Sequence, residues 1–359
     1  MTPRSIAVFV SPHGFGHAAR AAAVMQALRA RHGTRFQLFG STPAWFFDES
    51  VPDTFDRHEV ETDVGFRQRS SLDVDLHATV QALEAFLPFD DALLDRLTDI
   101  VVGAGCQAVL CDISPLGIAV AERAGLPSVL VENFLWPWLY EPLLDEAPGL
   151  ADAARALQAW FDRATLHVQA APACVPAPGA VAVPPVSRVP RRDRRTVRRA
   201  LDVPDDVPLV VVTMGGIPQD LPFLDRLAAH APVHFVVTGA PETVTSGTLR
   251  LFGPSAPLYM PDFVGAADAV VAKLGYGTAA EVWAAGCPFA WVARPNFREA
   301  GPLGGWVEAT VPGFSLAEAD FLDGAWLDRL PELLDIPPTR GVREGGAGAV
   351  ADLVADLVA

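Results

Sequence analysis

The sequence predicts an α/β protein built from two Rossmann-like, doubly wound domains that face each other across a cleft. Apolar runs at residues 6–10 and 208–213 each end in a glycine turn, as a buried parallel strand does when it feeds a ligand-binding loop. Strand-like and helix-like stretches alternate through both halves. Between the halves, from 170 to 190, prolines crowd together with glycine, which marks an interdomain connection. A length of 359 residues supports two cores. The expected division is an N-terminal domain over 1–186, a C-terminal domain over 187–335 and a tail helix over 336–359.

Taken in order, the strand at 6–10 leads into Ser11-Pro-His-Gly-Phe-Gly-His-Ala-Ala-Arg20 and an alanine-rich helix to about residue 31. Residues 35–39 return to strand and complete a βαβ unit. Residues 60–76 read as irregular and polar, around Asp63-Val-Gly65 and Arg67-Gln-Arg69. Pro88 divides two helices between 76 and 102. A strand over 108–111 ends at Asp112; a helix to Ala124, a Gly125 cap and a strand over 128–132 follow. The aromatic run Asn133-Phe-Leu-Trp-Pro-Trp-Leu-Tyr140 comes next, then a helix over 150–164.

In the second half a helix starts near Asp193, and the strand from 208 runs into Gly215 and Gly216. A helix over 220–230 and a strand over 233–238 precede Val270-Val-Ala-Lys-Leu-Gly-Tyr-Gly-Thr278, read as a strand end, a glycine turn and a helix opening near Thr278. A strand over 289–293 follows. The closing helix puts Val350, Leu353, Val354, Leu357 and Val358 on one face, fit for docking on a domain.

The formal charge is −16, from 27 basic and 43 acidic residues, which argues against general nucleic-acid binding and attraction to an anionic membrane. Cysteines 106, 111, 174 and 287 form no CxxC pair, so no structural zinc is expected, and Cys106 and Cys111 read as core thiols. The first strand starts without a charged-then-apolar leader, and no run of about 18 apolar residues is free of charges and prolines. A cytoplasmic protein without a membrane span is the expectation.

Chemistry concentrates at the strand ends. Gly275 and Gly277 let the backbone approach a ligand, the helix start offers N–H groups, and Lys273 adds a full charge. This stretch is read as the diphosphate seat of a sugar-nucleotide site. Thr278-Ala-Ala-Glu281 also fits a capping box in which Glu281 reaches back to the Thr278 N–H, and spacing leaves both readings open. His13 and His17, set around Gly14 and Gly16, are placed to take a proton near neutral pH, with Asp112 to orient one of them; a helix-capping or local hydrogen-bonding role for His17 is the plainer alternative.

Other motifs carry less. Gly14-Phe-Gly16 lacks the third glycine of a dinucleotide fingerprint, and Phe39-Gly40-Ser41 supplies no acid after the second strand, which disfavours NAD. Asp73-Val-Asp75 has the form of a metal motif but follows no buried strand, so neither a catalytic metal nor another cofactor is expected. Trp136-Pro-Trp138 reads as packing or as an acceptor-binding wall. Seven arginines between 188 and 199 read as a solvated linker helix or an anion-binding surface.

Together, His13 to Arg20, Asn133 to Trp136, Pro261 to Phe263, Lys273 to Thr278, Phe297 and Glu299 resemble the N-terminal, glycosyltransferase-like half of plant-type L-arabinokinases. The similarity runs from residue 6 to about 310, and the sugar-kinase half of those proteins is absent. More distantly the layout resembles the peptidoglycan GlcNAc transferase and the UDP-sugar hydrolase of pseudaminic acid synthesis. The resemblance implies a GT-B fold and a metal-independent glycosyltransferase, with a nucleotide-diphosphate sugar and a small-molecule acceptor as partners. It implies that Met260 meets the base, that Gly215, Gly216, Gly275, Tyr276, Gly277 and Thr278 surround the diphosphate, and that Glu281 binds ribose. Glu299, with Arg298 beside it, matches the donor-sugar loop, and Gly14 and Gly16 lie on the donor's path. His17 matches the catalytic base, assisted by Asp112 and His13, and Asn133 and Trp136 fall on the acceptor side. Pro295, Asn296 and Arg298 depart from the arabinokinase pattern, so the donor sugar does not carry over. A nucleotide-sugar hydrolase and a non-catalytic sugar-nucleotide sensor remain the alternatives.

Overall fold

The structure is a computed structural model and describes residues 4–68, 74–215, 221–253, 259–293, 297–341 and 343–359. The chain divides into two compact units, Met1–Arg188 with Gly345–Ala359, and Val189–Glu344.

The first unit is a seven-stranded sheet. Its strands are β1 (Ser5–Val10), β2 (Arg35–Phe39), β3 (Phe55–His58), β4 (Cys106–Asp112), β5 (Ser128–Glu132), β6 (Leu166–Ala170) and β7 (Val181–Val183). They lie in the order β3-β2-β1-β4-β5-β6-β7, and every pair is parallel. The helices are α1 (Phe15–His32), α2 (Ala44–Asp48), α3 (Leu76–Phe86), α4 (Asp91–Gly103), α5 (Pro115–Ala124), α6 (Trp136–Tyr140) and α7 (Leu150–Phe161).

β1 and β5 are apolar along most of their length because both faces of a parallel sheet are covered. α1 buries Ala18, Ala19 and Ala21 to Ala23, small side chains on a strongly helix-forming stretch, and ends at Gly33, whose N–H caps the Arg29 carbonyl. The chain runs outward from β1 through β2 to β3, then crosses back to place β4 on the other side of β1. Val10 and Asp112 are paired at that switch, where open α/β sheets hold their ligands.

The second unit repeats the plan. Its strands are β8 (Leu209–Thr213), β9 (His234–Thr238), β10 (Val244–Ser246), β11 (Leu249–Phe252), β12 (Ala269–Lys273), β13 (Phe289–Val292) and β14 (Gly313–Leu316). Their order is β10-β11-β9-β8-β12-β13-β14, parallel except for β10 against β11. Helices α8 (Arg194–Ala200), α9 (Leu224–Leu227), α10 (Met260–Ala266), α11 (Tyr276–Ala285), α12 (Ala300–Thr310), α13 (Glu318–Leu322) and α14 (Leu330–Leu334) belong to this unit. The order reverses between β8 and β12, which puts the residues after Thr213 beside the end of β12.

Three expectations need correction. The proline-rich segment after 170 is not a plain connection: it contains β7, an edge strand, where prolines need give up no ladder hydrogen bond. The tail is helical only from 346, as α15 (Gly346–Leu357), and it packs on α1 within the first unit. Val350 and Val354 are buried there as expected, but Leu353, Leu357 and Val358 are half-exposed, and Ala351 and Ala355 take their places. The helix expected over 220–230 is α9 followed by a 3₁₀ turn.

Candidate active site

β1 and β4 end side by side, and the Ser11 N–H reaches the Asp112 carbonyl at 3.2 Å. The chain then turns through Gly14, at φ 88°, into α1, which places His17 and Arg20 one helical turn apart on one buried face. His17 Nδ1 lies 2.9 Å from Asp112 Oδ1. Arg20 grips the same carboxylate with both ends of its fork, Nε to Oδ2 at 2.7 Å and Nη2 to Oδ1 at 2.8 Å. Its remaining arm, Nη1, donates to the Asn133 side-chain oxygen after β5. Beyond Asp112 the backbone turns through Ile113, buried and held at φ 40°. For a β-branched residue that conformation costs about 1–3 kcal/mol, which the surrounding sheet must offset.

This network decides the histidine tautomer. Burial would push the Asp112 carboxyl up, but the Arg20 charge and hydrogen bonds from His17 and Arg20 hold it below its usual range. Asp112 is therefore an acceptor only, and Arg20 a donor only. An unprotonated Nδ1 would face a carboxylate lone pair at 2.9 Å, so Nδ1 carries the proton and donates it to Asp112. The Arg20 approach to Nδ1 at 3.3 Å is then a contact and not a hydrogen bond. In the neutral ring this tautomer puts the lone pair on Nε2, the arrangement a general base uses. His17 stays 7% exposed and Asp112 is 1% exposed.

His13 stands half-buried on the same loop, edge-on to Trp136 with ring centroids 5.0 Å apart. His17 lies 6.3 Å from Trp136 and 5.9 Å from Phe134. Behind these rings runs the segment from Thr62 to Phe66, buried throughout. Thr62 Oγ1 donates to the Val10 carbonyl, and Ser114 Oγ donates to the Thr62 carbonyl at 2.9 Å. Asp63 receives the Trp136 indole N–H, the Val64 N–H at 2.9 Å and a hydrogen bond from Ser11. Burial nevertheless pushes its carboxyl up to about 7. Gly65 adopts φ 59°, and a Cβ there would sit 2.9 Å from both His13 Nδ1 and Trp136 Cη2. Only glycine fits.

In the second unit Gly215, at φ 79°, follows β8, and a Cβ there would come within 3.6 Å of Lys273 Nζ at the end of β12. Lys273 therefore lies over the turn after β8. α11 opens two residues later with Gly275 as its N-cap and no side chain capping it, so first-turn N–H groups find no acceptor within the helix. Thr278 is the third helical residue and not the cap. The capping-box reading of Thr278 and Glu281 is thereby corrected: the helix starts earlier than the threonine suggested. Tyr276 and Glu281 are buried, whereas Gly277 and Thr278 are half-buried. Met260 begins α10, which packs against α11. Glu299 occupies the N-cap position of α12, with Arg298 exposed beside it, and α12 also packs against α11. Gly216 lies outside the described residues.

The structure thus gathers His13, His17 and Asp112 at one switch point, and Gly215 with Lys273 at the other. Asn133 and Trp136 do not stand as an acceptor wall. Both are buried, and their polar groups are spent on Arg20 and Asp63, so they back the site instead of lining it. Asp75 of the acidic motif caps α3 through the Ala78 N–H at 2.9 Å, and Asp73 lies outside the described residues. The arginine run serves structure. Arg192 binds Asp262, and Arg194 and Arg198 bind Asp268, fixing α8 to the end of α10. Arg20, Asp63 and Gly65 were the residues that motif reading passed over. A signal existed for Arg20, since it lies one helical turn after His17 and so shares its face.

Two open sheets of this order, each with its ligand-side residues at the switch, make up the GT-B fold of glycosyltransferases. The chain is 27% identical over 339 residues to L-arabinokinase of Arabidopsis thaliana, an alignment covering 92% of this chain and 32% of that protein. It thus spans about a third of that relative's length. It is 29% identical over 290 residues to the UDP-N-acetylglucosamine–N-acetylmuramyl-(pentapeptide) pyrophosphoryl-undecaprenol N-acetylglucosamine transferase of Clavibacter sepedonicus, covering 74% of this chain and 73% of the relative. The crystal structure of CalG4, the calicheamicin glycosyltransferase, matches with a TM-score of 0.62 at 17% identity, over 99% of this chain and 98% of that one. No protein-family profile matches the sequence. Among the described residues, no helix is long and apolar enough to cross a membrane.

Proposed function

We propose that this protein is a glycosyltransferase that moves a sugar from a nucleotide-diphosphate sugar, with UDP as the nucleotide, to a hydroxyl of a small-molecule acceptor. The observation that carries the reading is the His17–Asp112 pair, whose geometry supports Nε2 as the base beside the glycine turn. The acceptor hydroxyl gives its proton to Nε2 while its oxygen forms a bond to the anomeric carbon. The bond from that carbon to the diphosphate oxygen breaks, the diphosphate leaves with the electron pair, and direct displacement inverts the anomeric centre. Asp112 then stabilises the imidazolium. Lys273, the turn at Gly215 and the first-turn amides of α11 would carry the charge of the leaving diphosphate without a metal ion.

The test incubates the full chain with UDP-sugars and a panel of hydroxyl acceptors, with a chelator present, and follows free UDP. Acceptor-dependent release is expected, falling about 10²–10⁴-fold in His17→Ala while UDP binding persists. Equal release without acceptor, lost in His17→Ala, would identify a hydrolase. Binding of UDP-sugars without turnover on any acceptor would identify a sensor.

A further inference from the structure

Asp63 takes no part in the reaction just proposed, yet it sits behind its centre. The carboxyl is completely buried and so touches no substrate. An acid in such a place is costly: with both oxygens removed from water it needs strong compensation. The groups that act on it are the Trp136 indole N–H, Ser11 and the Val64 N–H, while Glu61 adds a second negative charge. An ionised carboxyl accepts at both oxygens, Val64 at one and Trp136 at the other, whereas an asparagine would turn an N–H toward one of those sides.

Of the donors it holds, one belongs to a ring that reaches both histidines. Trp136 is buried and packs edge-on to His13 and obliquely on His17. Its one polar atom is the N–H bound by Asp63, so that bond selects which edge of the indole faces the histidines. The segment carrying Asp63 is itself fixed to the site through Val10 and Ser114, and Tyr140 donates to the Gly65 carbonyl at 2.8 Å. The absence of room for a Cβ at Gly65 shows how closely this segment backs His13 and Trp136.

We propose that Asp63 is a positioning residue: through the Trp136 N–H it fixes the wall that holds His13 and His17 in place. The proposal deepens the transferase reading, and its effect on turnover rests on that reading; its effect on the histidine rings does not.

The experiment compares Asp63→Asn, Trp136→Phe and the double variant in the full chain. The first readout is the nitrogen-15 correlation spectrum of the imidazoles, with His13 and His17 signals assigned by substituting each in turn. Both single variants should move the His13 and His17 signals and leave those of His58 and His167 in place. The double variant should look like Trp136→Phe alone, because without the indole N–H the carboxyl has nothing to act through. The second readout is kinetic: kcat should fall at least tenfold in each single variant with KM for the donor unchanged, and the two losses should not multiply. Unmoved His13 and His17 signals in Asp63→Asn, a general shift that includes His58 and His167, or losses that multiply would each overturn the proposal. If Asp63→Asn fails to fold, Trp136→Phe decides, since unmoved histidine signals there overturn it equally. Failure to find any turnover would count against the transferase reading alone, because the spectra still settle the positioning role.

Discussion

Raising the pH from about 4 to 8 should weaken the first unit, and Asp63 is the reason. Its carboxyl titrates at about 7 in the folded chain against an ordinary value of 3.8. Between those values the folded protein keeps a proton that the unfolded chain has released, so stability falls as the pH rises. Below the lower value both states are protonated, above the upper one both are ionised, and the slope vanishes. A gap of about three pH units, at ~1.4 kcal/mol each, comes to roughly 4 kcal/mol. That is a large share of the ~5–15 kcal/mol that holds a typical domain together. Asp112 works in the opposite sense and in the adjoining window. Its folded carboxyl is depressed, so its contribution is complete above the ordinary carboxylate range and is lost as the pH falls below it. The assay is native-state hydrogen exchange of the buried β1 and β4 amides as a function of pH, in the parent and in Asp63→Asn. The variant has no such titration, so the parent's stability relative to it should fall by roughly 4 kcal/mol on going to pH 8. Parallel pH profiles for the two proteins would refute the reasoning.

Two further outcomes follow from the geometry. Gly65→Ala must hold a Cβ at positive φ against His13 and Trp136, and should lower stability by about 1–3 kcal/mol in thermal or urea unfolding; a neutral substitution would mean that the segment relaxes freely. Lys273→Ala should weaken UDP binding, read by calorimetry, about ten- to a hundredfold with the melting temperature unchanged. Unchanged affinity would place the diphosphate elsewhere.

What the sequence reveals of this fold depends on where each residue's partners lie. β1, β5 and β8 announce themselves because both of their faces are covered and their apolar runs are unbroken. The edge strands do not. β3 reads Phe-Asp-Arg-His, β7 has three residues among prolines, and β10 is exposed throughout; each is a strand because of the neighbour it pairs with. The same distinction runs through the site. His17 and Asp112 are legible from loop chemistry at two strand ends. Asp63 in its polar-looking stretch is indistinguishable from a solvated acid until Trp136, 73 residues later, supplies its donor. The start of α11 was misplaced for a local reason: a threonine is a more conspicuous cap than a glycine, but β12 ends at Lys273, and the chain turns at once.

The two units use one topological device with opposite chemistry. At the first switch the strand ends gather a carboxylate, a guanidinium and two imidazoles, groups that hold and pass a proton. At the second they bring a lysine over a glycine turn beside a helix start with a glycine N-cap, groups suited to an anion. For a chain of net charge −16, attraction of the proposed diphosphate donor cannot come from the protein's overall field, which repels it. Nor does the arginine run supply the attraction through Arg192, Arg194 and Arg198, which are bound to Asp262 and Asp268 and to the carbonyls that end α10. Positive potential has to be local and directed, and a lysine with aligned backbone amides provides it at short range. The proposed division of labour between proton-handling and anion-holding strand ends therefore rests on electrostatics as much as on fold.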